Sequence, residues 1–315
     1  MSAEPQFRRV ARFVSPVDRG FAAVVYGGSI LFALLIIGLF VELVLGSWPS
    51  IVRFGPGFIY HSGWDPINSK FGALPMIYGT VVTSLIAIVL AAFVGIMGAV
   101  FLADFAPLWL ATPLSFLIEL LAAVPSVVYG LWGLFVLSPF MRTALGPALQ
   151  KVLGWTPLFS GTIYGVGLLT GGMILALMIV PTVTAISRDV IAAIPRDLRE
   201  ASMALGTTRW ETAIRVVLPA ARVGVFGACV LALGRALGET IAVTMVIGNR
   251  PEISASLFAP SYTLASVIAN EFTEATTSIY VSALIELGLI LFAVSIVVNA
   301  LARLMIWSVR GSERV

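Results

Sequence analysis

The chain has 315 residues, 59% of them hydrophobic and 11% charged, with a mean hydropathy of +1.02. A soluble domain carries roughly 25% charged residues, so too little charge is present to cover a water-facing surface of this size. The chain reads as an all-α polytopic membrane protein embedded in a lipid bilayer. The formal net charge of +3 sits in particular loops and does not indicate a nucleic-acid partner. Cys229 is the single cysteine and His61 the single histidine, which excludes a disulfide within the chain and any His-cluster metal site.

Residues 1–19 are polar and basic, with Arg8, Arg9, Arg12 and Arg19. Residues 20–46 are almost wholly apolar. That length exceeds a signal-peptide core, and no small-residue cleavage site follows. It is read as a retained first transmembrane helix, since about 20 apolar residues span the hydrocarbon. Glu42 falls near its outer end. Residues 47–76, with Gly63-Trp64-Asp65-Pro66, read as an external loop carrying a short amphipathic piece. A second span covers 77–102 and is closed by Asp104-Phe105-Ala106-Pro107. A third covers 108–137, interrupted by Pro125, and a loop follows over 138–160. The fourth runs over 161–185 and ends after Pro181.

Between the fourth span and the fifth lies a long polar interval, 188–221, whose core reads RDLREASMALGTTRWETAIRVVLP over 196–219. Six arginines stand in or beside it: Arg188, Arg196, Arg199, Arg209, Arg215 and Arg222. Pro195 suits the start of a helix, where its missing N–H would be unpaired anyway. Gly206 suits a helix C-terminus that needs a left-handed residue. Thr208 to Glu211 has the pattern of a capping box that starts a second helix, which is expected to stop near Leu218-Pro219. Leu198, Ala201, Ser202 and Leu205 recur at helical spacing and give the first helix a small, mildly apolar face. Such a face suits docking into a groove on a partner; the alternative is an amphipathic loop lying on the lipid surface.

A fifth span covers 222–247, a loop 248–278, and a sixth span 279–307, followed by a short tail over 308–315. With the N-terminus inside, the inner side collects four arginines from the N-terminal tail, six from the polar interval and three from the C-terminal end. The outer side holds only Arg53, Lys70, Arg142, Lys151 and Arg250. By the positive-inside rule both termini and the polar interval are cytoplasmic. The partner that docks on it is therefore cytoplasmic too. Asn270, Glu271 and Glu274 lie in the last external loop and read as solvated.

Arg235 lies near the middle of the fifth span, where an arginine costs at least roughly 2.5–3.5 kcal/mol on insertion scales. Glu239 is four residues on, hence on the same face of a continuous helix, in the order that supports a helix least. Two readings are open. The pair is a buried ion pair that pins packing, or a polar lining of a solute path, with Arg235 available to an anion. Glu119 in the third span and Glu286 in the sixth bring the intramembrane carboxylates to three against one arginine. Either burial keeps some of them protonated, or a second subunit contributes cations, which is the preferred reading.

Glu200, Ala201, Ser202, Gly206, Leu218 and Pro219 keep the spacing of the EAA loop of binding-protein-dependent ABC importer permeases. Ser202 departs, standing where a second Ala is usual. Further segments resemble the PstC family of permease subunits of the phosphate-specific ABC importer. They include ELLAAVPSVVYGLWGLF at 119–135 and, most specifically, LPAARVGVFGACVLALGRALGETIAVTMVIGN at 218–249. The resemblance covers most of 71–292. It implies a type I permease fold of six transmembrane helices in the bacterial inner membrane, with a cytoplasmic coupling helix around Glu200–Gly206. It also implies pairing with the homologous permease PstA, two copies of the ATPase PstB holding ATP and Mg, and an external phosphate-binding protein, PstS. Arg235 and Glu239 fall where that family's charged membrane residues fall. The chain has no P-loop pattern, so it should not bind ATP itself, and it has no catalytic set. The alternatives are a permease for sulfate, molybdate or phosphonate, or a secondary anion transporter using Arg235 and Glu239.

Overall fold

The computed structural model describes residues 16–311, with side chains from 20 to 304. The tail residues Arg8, Arg9, Arg12 and Arg314, and the side chains of Arg19 and Arg310, lie outside the described residues. Helices make up the described chain. Among the described residues there is no strand, only two isolated bridges, Asp65 with Lys70 and Gly248 with Ser261.

Six helices are long and apolar enough to cross a membrane. They are α1 (Pro16–Phe54), α2 (Leu74–Phe105), α4 (Ser126–Leu153), α5 (Leu168–Ala192), α7 (Arg209–Leu237) and α10 (Ser278–Gly311). Shorter helices lie between them, among them α3 (Leu108–Ala122), α6 (Arg196–Ala204), α8 (Ile241–Val246) and α9 (Leu264–Glu271), besides single turns at Gly57–Tyr60 and Pro157–Phe159.

α5 is the centre, with two-thirds of its apolar stretch buried, against none for α1. It packs most extensively on α2, because small residues let the two backbones approach. A Cβ on Gly172 would meet Ile86 at 2.6 Å, and one on Gly95 would meet Val183 at 2.9 Å. Ala87, Ala91, Leu175, Ile179, Ala232 and Val243 fill the space where α2, α5, α7 and α8 meet. Two buried threonine hydroxyls here bond within their own helices, Thr83 to Gly79 O at 2.7 Å and Thr184 to Val180 O at 2.8 Å, whereas the buried Ser84 and Ser187 hydroxyls have no partner among the described residues. No polar atom of these two threonines is stranded among apolar neighbours.

α1 lies at the edge, along α10. Phe40 meets Phe292 at 5.6 Å. Near Pro49 the Ser282 hydroxyl of α10 inserts into the backbone ladder of α1. It accepts from Ser50 N–H at 3.0 Å and donates to Gly46 C=O at 2.9 Å, bridging two groups one helical turn apart.

Several boundaries differ from the sequence reading. α1 continues to Phe54, so the first loop starts later than residue 47. The third crossing is Ser126–Leu153 and not 108–137. The chain turns between Ala122 and Pro125, because proline disfavours a helical residue before it and lacks the N–H to continue the ladder. Its most apolar window has a mean hydropathy of 1.3, against 2.0 to 2.9 for the other five, which is why the apolar run pointed elsewhere. The fourth crossing begins only at Leu168, after three glycines with positive φ, and carries Pro181 inside it to end at Ala192. The helix opened by Thr208 does not stop at Leu218-Pro219. A π-helical turn over Ala213–Val217 widens the ladder just before Pro219 and the helix runs on to Leu237.

Candidate functional site

The polar interval folds as a helical hairpin. Pro195 precedes α6 with an extended backbone, φ −53° and ψ 139°. Gly206 ends it at φ +89°, a conformation that costs a residue with a Cβ about 1–2 kcal/mol. Thr208 and Glu211 form the expected capping box: Glu211 N–H donates to Thr208 Oγ1 at 3.2 Å and Thr208 N–H to Glu211 Oε2 at 2.9 Å. Ser202, the departure from the EAA pattern, closes a ring of hydroxyls with Thr207 at 2.8 Å and Thr212 at 3.1 Å, which are themselves 2.9 Å apart. Each oxygen can donate once and accept once, so the ring satisfies itself in a partly buried place. Leu198, Met203 and Leu205 face outward, Leu205 with 87% of its surface exposed. The hairpin is thus stiff inside and apolar at its tip, the combination a docking helix needs. Glu200 and Ala201 are exposed on the same helix, while Leu218 and Pro219 lie on α7, beyond the wide turn.

Arg199 holds the hairpin to the membrane helices. Its Nε donates to Asp104 Oδ1 at 3.1 Å, Nη1 to Ile194 O at 2.5 Å and Nη2 to Ile191 O at 2.7 Å. The Ile191 carbonyl is in the last turn of α5 and that of Ile194 just beyond it, where C=O groups have no continuing helix to bond. Asp104 sits in a π-helical turn, Phe101–Phe105, at the end of α2. The sequence offers no signal for this pairing, because the two residues are 95 positions apart.

Arg235 and Glu239 are not on one helix face. α7 ends at Leu237, and Glu239 stands in the break before α8. Each charge meets a different helix end. Arg235 is in the last turn of α7, where a cation is favoured. Glu239 accepts from Ala242 N–H at 3.2 Å, in the first turn of α8, where an anion is favoured. Among the described residues they form no ion pair with each other. Arg235 is exposed and lines an open cleft with Thr182 of α5 and Asn299 of α10.

Glu119 lies on α3 and not within a crossing. It pairs with Arg188 at 3.3 Å, and Arg188 also bonds Asp189 at 2.9 Å. Arg188 is four residues from the end of α5, so this pair sits towards the hairpin side, far along the chain from Arg235. Glu286 is buried at 6% exposure against α1, beside Ser50. The structure therefore separates the three carboxylates that the sequence gathers into one count.

Glu271, read as part of a solvated loop, is held in a polar cluster. Trp64 Nε1 donates to its Oε2 at 2.7 Å and Tyr280 Oη to the same oxygen at 2.5 Å. Phe71 stacks on Tyr280 with ring centroids 5.4 Å apart. Nearby, burial pushes the Tyr262 hydroxyl up to about 12, although Asn270 donates to its oxygen at 3.1 Å. In the loop opposite, the Asn68 side chain donates to Asp65 at 2.6 Å and holds its carboxyl below the usual carboxylate range. Only the aromatic-rich composition of 58–71 could have hinted at this cluster.

Residues 95–310 match the family described as "Binding-protein-dependent transport system inner membrane component". The chain is 47% identical over 293 residues to the "Phosphate transport system permease protein PstC" of Mesorhizobium japonicum, covering 92% of this chain and 90% of that one. It is 45% identical to the PstC of Pasteurella multocida, covering 89% and 88%. Among solved structures, a bacterial alginate ABC transporter in complex with an alginate pentasaccharide-bound periplasmic protein superposes with a TM-score of 0.63. That match has 14% identity and covers 95% of this chain and 97% of that one. An inward-facing MetNI methionine ABC transporter gives a TM-score of 0.56 at 17% identity, over 74% and 94%. At these identities the structures speak for the fold alone, that of a type I ABC importer permease. The chain belongs to the family of binding-protein-dependent inner membrane permeases, and within it to the PstC group.

Proposed function

We propose that the chain is the permease subunit of an ATP-driven phosphate importer in the bacterial inner membrane, with both termini in the cytoplasm. It forms half of the translocation path and pairs with a homologous permease, PstA. Two copies of the ATPase PstB bind and hydrolyse ATP with Mg below the membrane, and PstS delivers phosphate outside. The observation that carries this reading is the near-full-length identity with PstC permeases, because the coupling hairpin alone is shared by importers of many solutes.

The geometry supports a division of labour. Leu198, Met203 and Leu205 present an apolar tip to the ATPase, and Glu200, Ala201, Ser202 and Gly206 shape the helix that carries it. Leu218 and Pro219, beyond the wide turn, pass its motion into α7. Arg235, exposed and without a carboxylate partner among the described residues, offers two rows of N–H donors to an oxyanion. Glu239, spent on the start of α8, leaves that arginine free. Glu119, paired with Arg188, lies at the cytoplasmic mouth of the path. ATP closes the ATPase dimer, the hairpin moves, and the path opens outward; resetting of the ATPases opens it inward, and phosphate leaves.

Uptake of radiolabelled phosphate and of sulfate, compared in cells with and without the gene, tests the assignment. Loss of phosphate uptake alone is expected. Loss of sulfate uptake alone would keep the importer and overturn the cargo, and loss of neither would overturn the importer.

A further inference from the structure

The coupling hairpin touches the end of α2 twice, and both contacts fall on the same wide turn. Arg199, on the first arm, bonds Asp104 at 3.1 Å. Trp210, at the start of the second arm, meets the ring of Phe105 with centroids 5.8 Å apart. Ala106 N–H closes that π-helical turn onto Phe101 O at 2.8 Å. A wide turn is a place where a helix end can shift by a residue without losing its bonding altogether. α2 in turn is the helix packed most closely against α5, through contacts with no room to slide, such as Gly172 on Ile86. A displacement of the hairpin therefore enters the rigid centre of the fold through one turn of α2.

We propose that Arg199 is a positioning residue that transmits movement of the coupling hairpin to the α2–α5 pair, acting through Asp104 and the Ile191 and Ile194 carbonyls. The inference rests on the importer reading above. Its physical basis is the number of elements one side chain joins. The guanidinium of α6 spends its Nε and both Nη groups on partners in α2 and at the end of α5, with only 18% of the side chain exposed and 13% of that of Asp104. Partial burial protects the pair from the screening that makes surface pairs weak. The planar fork fixes direction as well as distance, which a lysine would not do. Asp104 Oδ2 is buried without a donor, and Arg196 and Arg209 line the same cleft. One oxygen of the carboxylate is thus left without a donor in a cleft that holds two further arginines.

The test uses the complete transporter in proteoliposomes, with phosphate uptake and ATP hydrolysis measured on the same sample. Arg199→Lys keeps the charge and loses the fork; Asp104→Asn keeps the shape and loses the charge; Asp104→Glu keeps the carboxylate. A lost coupling of ordinary size lowers phosphate moved per ATP by about fivefold or more. Both Arg199→Lys and Asp104→Asn are expected to do so, with ATP hydrolysis and complex yield near wild type and partial recovery in Asp104→Glu. If Asp104→Asn fails to assemble, Arg199→Lys decides alone. An unchanged ratio, or a fall matched by an equal loss of complex, overturns the proposal. A wild-type complex without ATP-dependent phosphate uptake overturns the importer reading itself, an outcome the variants are not needed to see.

Discussion

Arg199 and Arg235 are two arginines of one membrane chain that are balanced in opposite ways. Arg199 finds every partner inside the chain: a carboxylate from α2 and two carbonyls from the end of α5. Arg235 finds none of these; it stands in the last turn of α7, exposed on a cleft it shares with Thr182 and Asn299. A charge set within a membrane-spanning helix without a carboxylate partner among the described residues is costly in lipid, which favours a site completed by something outside this chain. One arginine completes a joint, and the other is half of a contact. The difference sets a charge held by partners at the hairpin against one left open at the helix break, and it is on this contrast that the proposed roles of transmission and recognition rest.

Arg235→Gln breaks the comparison most severely. Hydrogen bonds to a charged group contribute about 1.5–3 kcal/mol, so phosphate uptake should fall by roughly tenfold to a hundredfold, with the subunit at its normal level in the membrane. Uptake assays beside immunoblots of the membrane fraction check this. Disappearance of the subunit would make Arg235 a residue of assembly and not of recognition. Gly206→Leu strikes the other side. No atom lies within 4 Å of an added Cβ, so the whole effect is backbone strain at φ +89°. A cost of about 1–2 kcal/mol in the hairpin predicts roughly a fivefold to thirtyfold loss of phosphate moved per ATP, without loss of assembly. Normal uptake would refute the docking account.

Smaller changes sharpen the contrast. Ser202→Ala restores the usual EAA residue and opens the hydroxyl ring, while Thr207 and Thr212 keep each other at 2.9 Å. The loss of about 1 kcal/mol should lower the thermal midpoint of the purified complex by a few degrees at most, and phosphate moved per ATP should fall less than in Gly206→Leu. Glu119→Gln should do least. The Glu119 side chain is 59% exposed, and Arg188 retains Asp189. A surface pair is worth about 0–1 kcal/mol, so uptake should stay close to wild type. A large loss would move the Glu119–Arg188 pair from the mouth of the path to its interior.

What the sequence made legible follows from local physics. Apolar runs announced six crossings, and Pro195, Gly206 and the Thr208–Glu211 box announced the hairpin, because each works through backbone geometry within a few residues. What escaped depends on the chain meeting itself. Pro125 was visible, yet whether it kinks one helix or separates two depends on how α3 packs on α5, a contact between segments far apart in the chain. Arg235 and Glu239 seemed to share a face only while the helix was taken as unbroken; the break after Leu237 gave each its own helix end. Pro219 read as a stop, and the wide turn over Ala213–Val217 absorbed it. Asp104, the carboxylate partner of Arg199, and Trp64, one partner of Glu271, stand 95 and 207 residues away, beyond any local pattern.

The Ser282 hydroxyl that sits inside the ladder of α1 ties the first crossing to the last, 232 residues later. During synthesis, α1 leaves the ribosome long before its partner exists. Until α10 arrives, the Gly46 carbonyl and the Ser50 amide beside Pro49 lack the hydroxyl that later bridges them. Completion of the fold is thereby reported at a single place, where the beginning of the chain waits for its end.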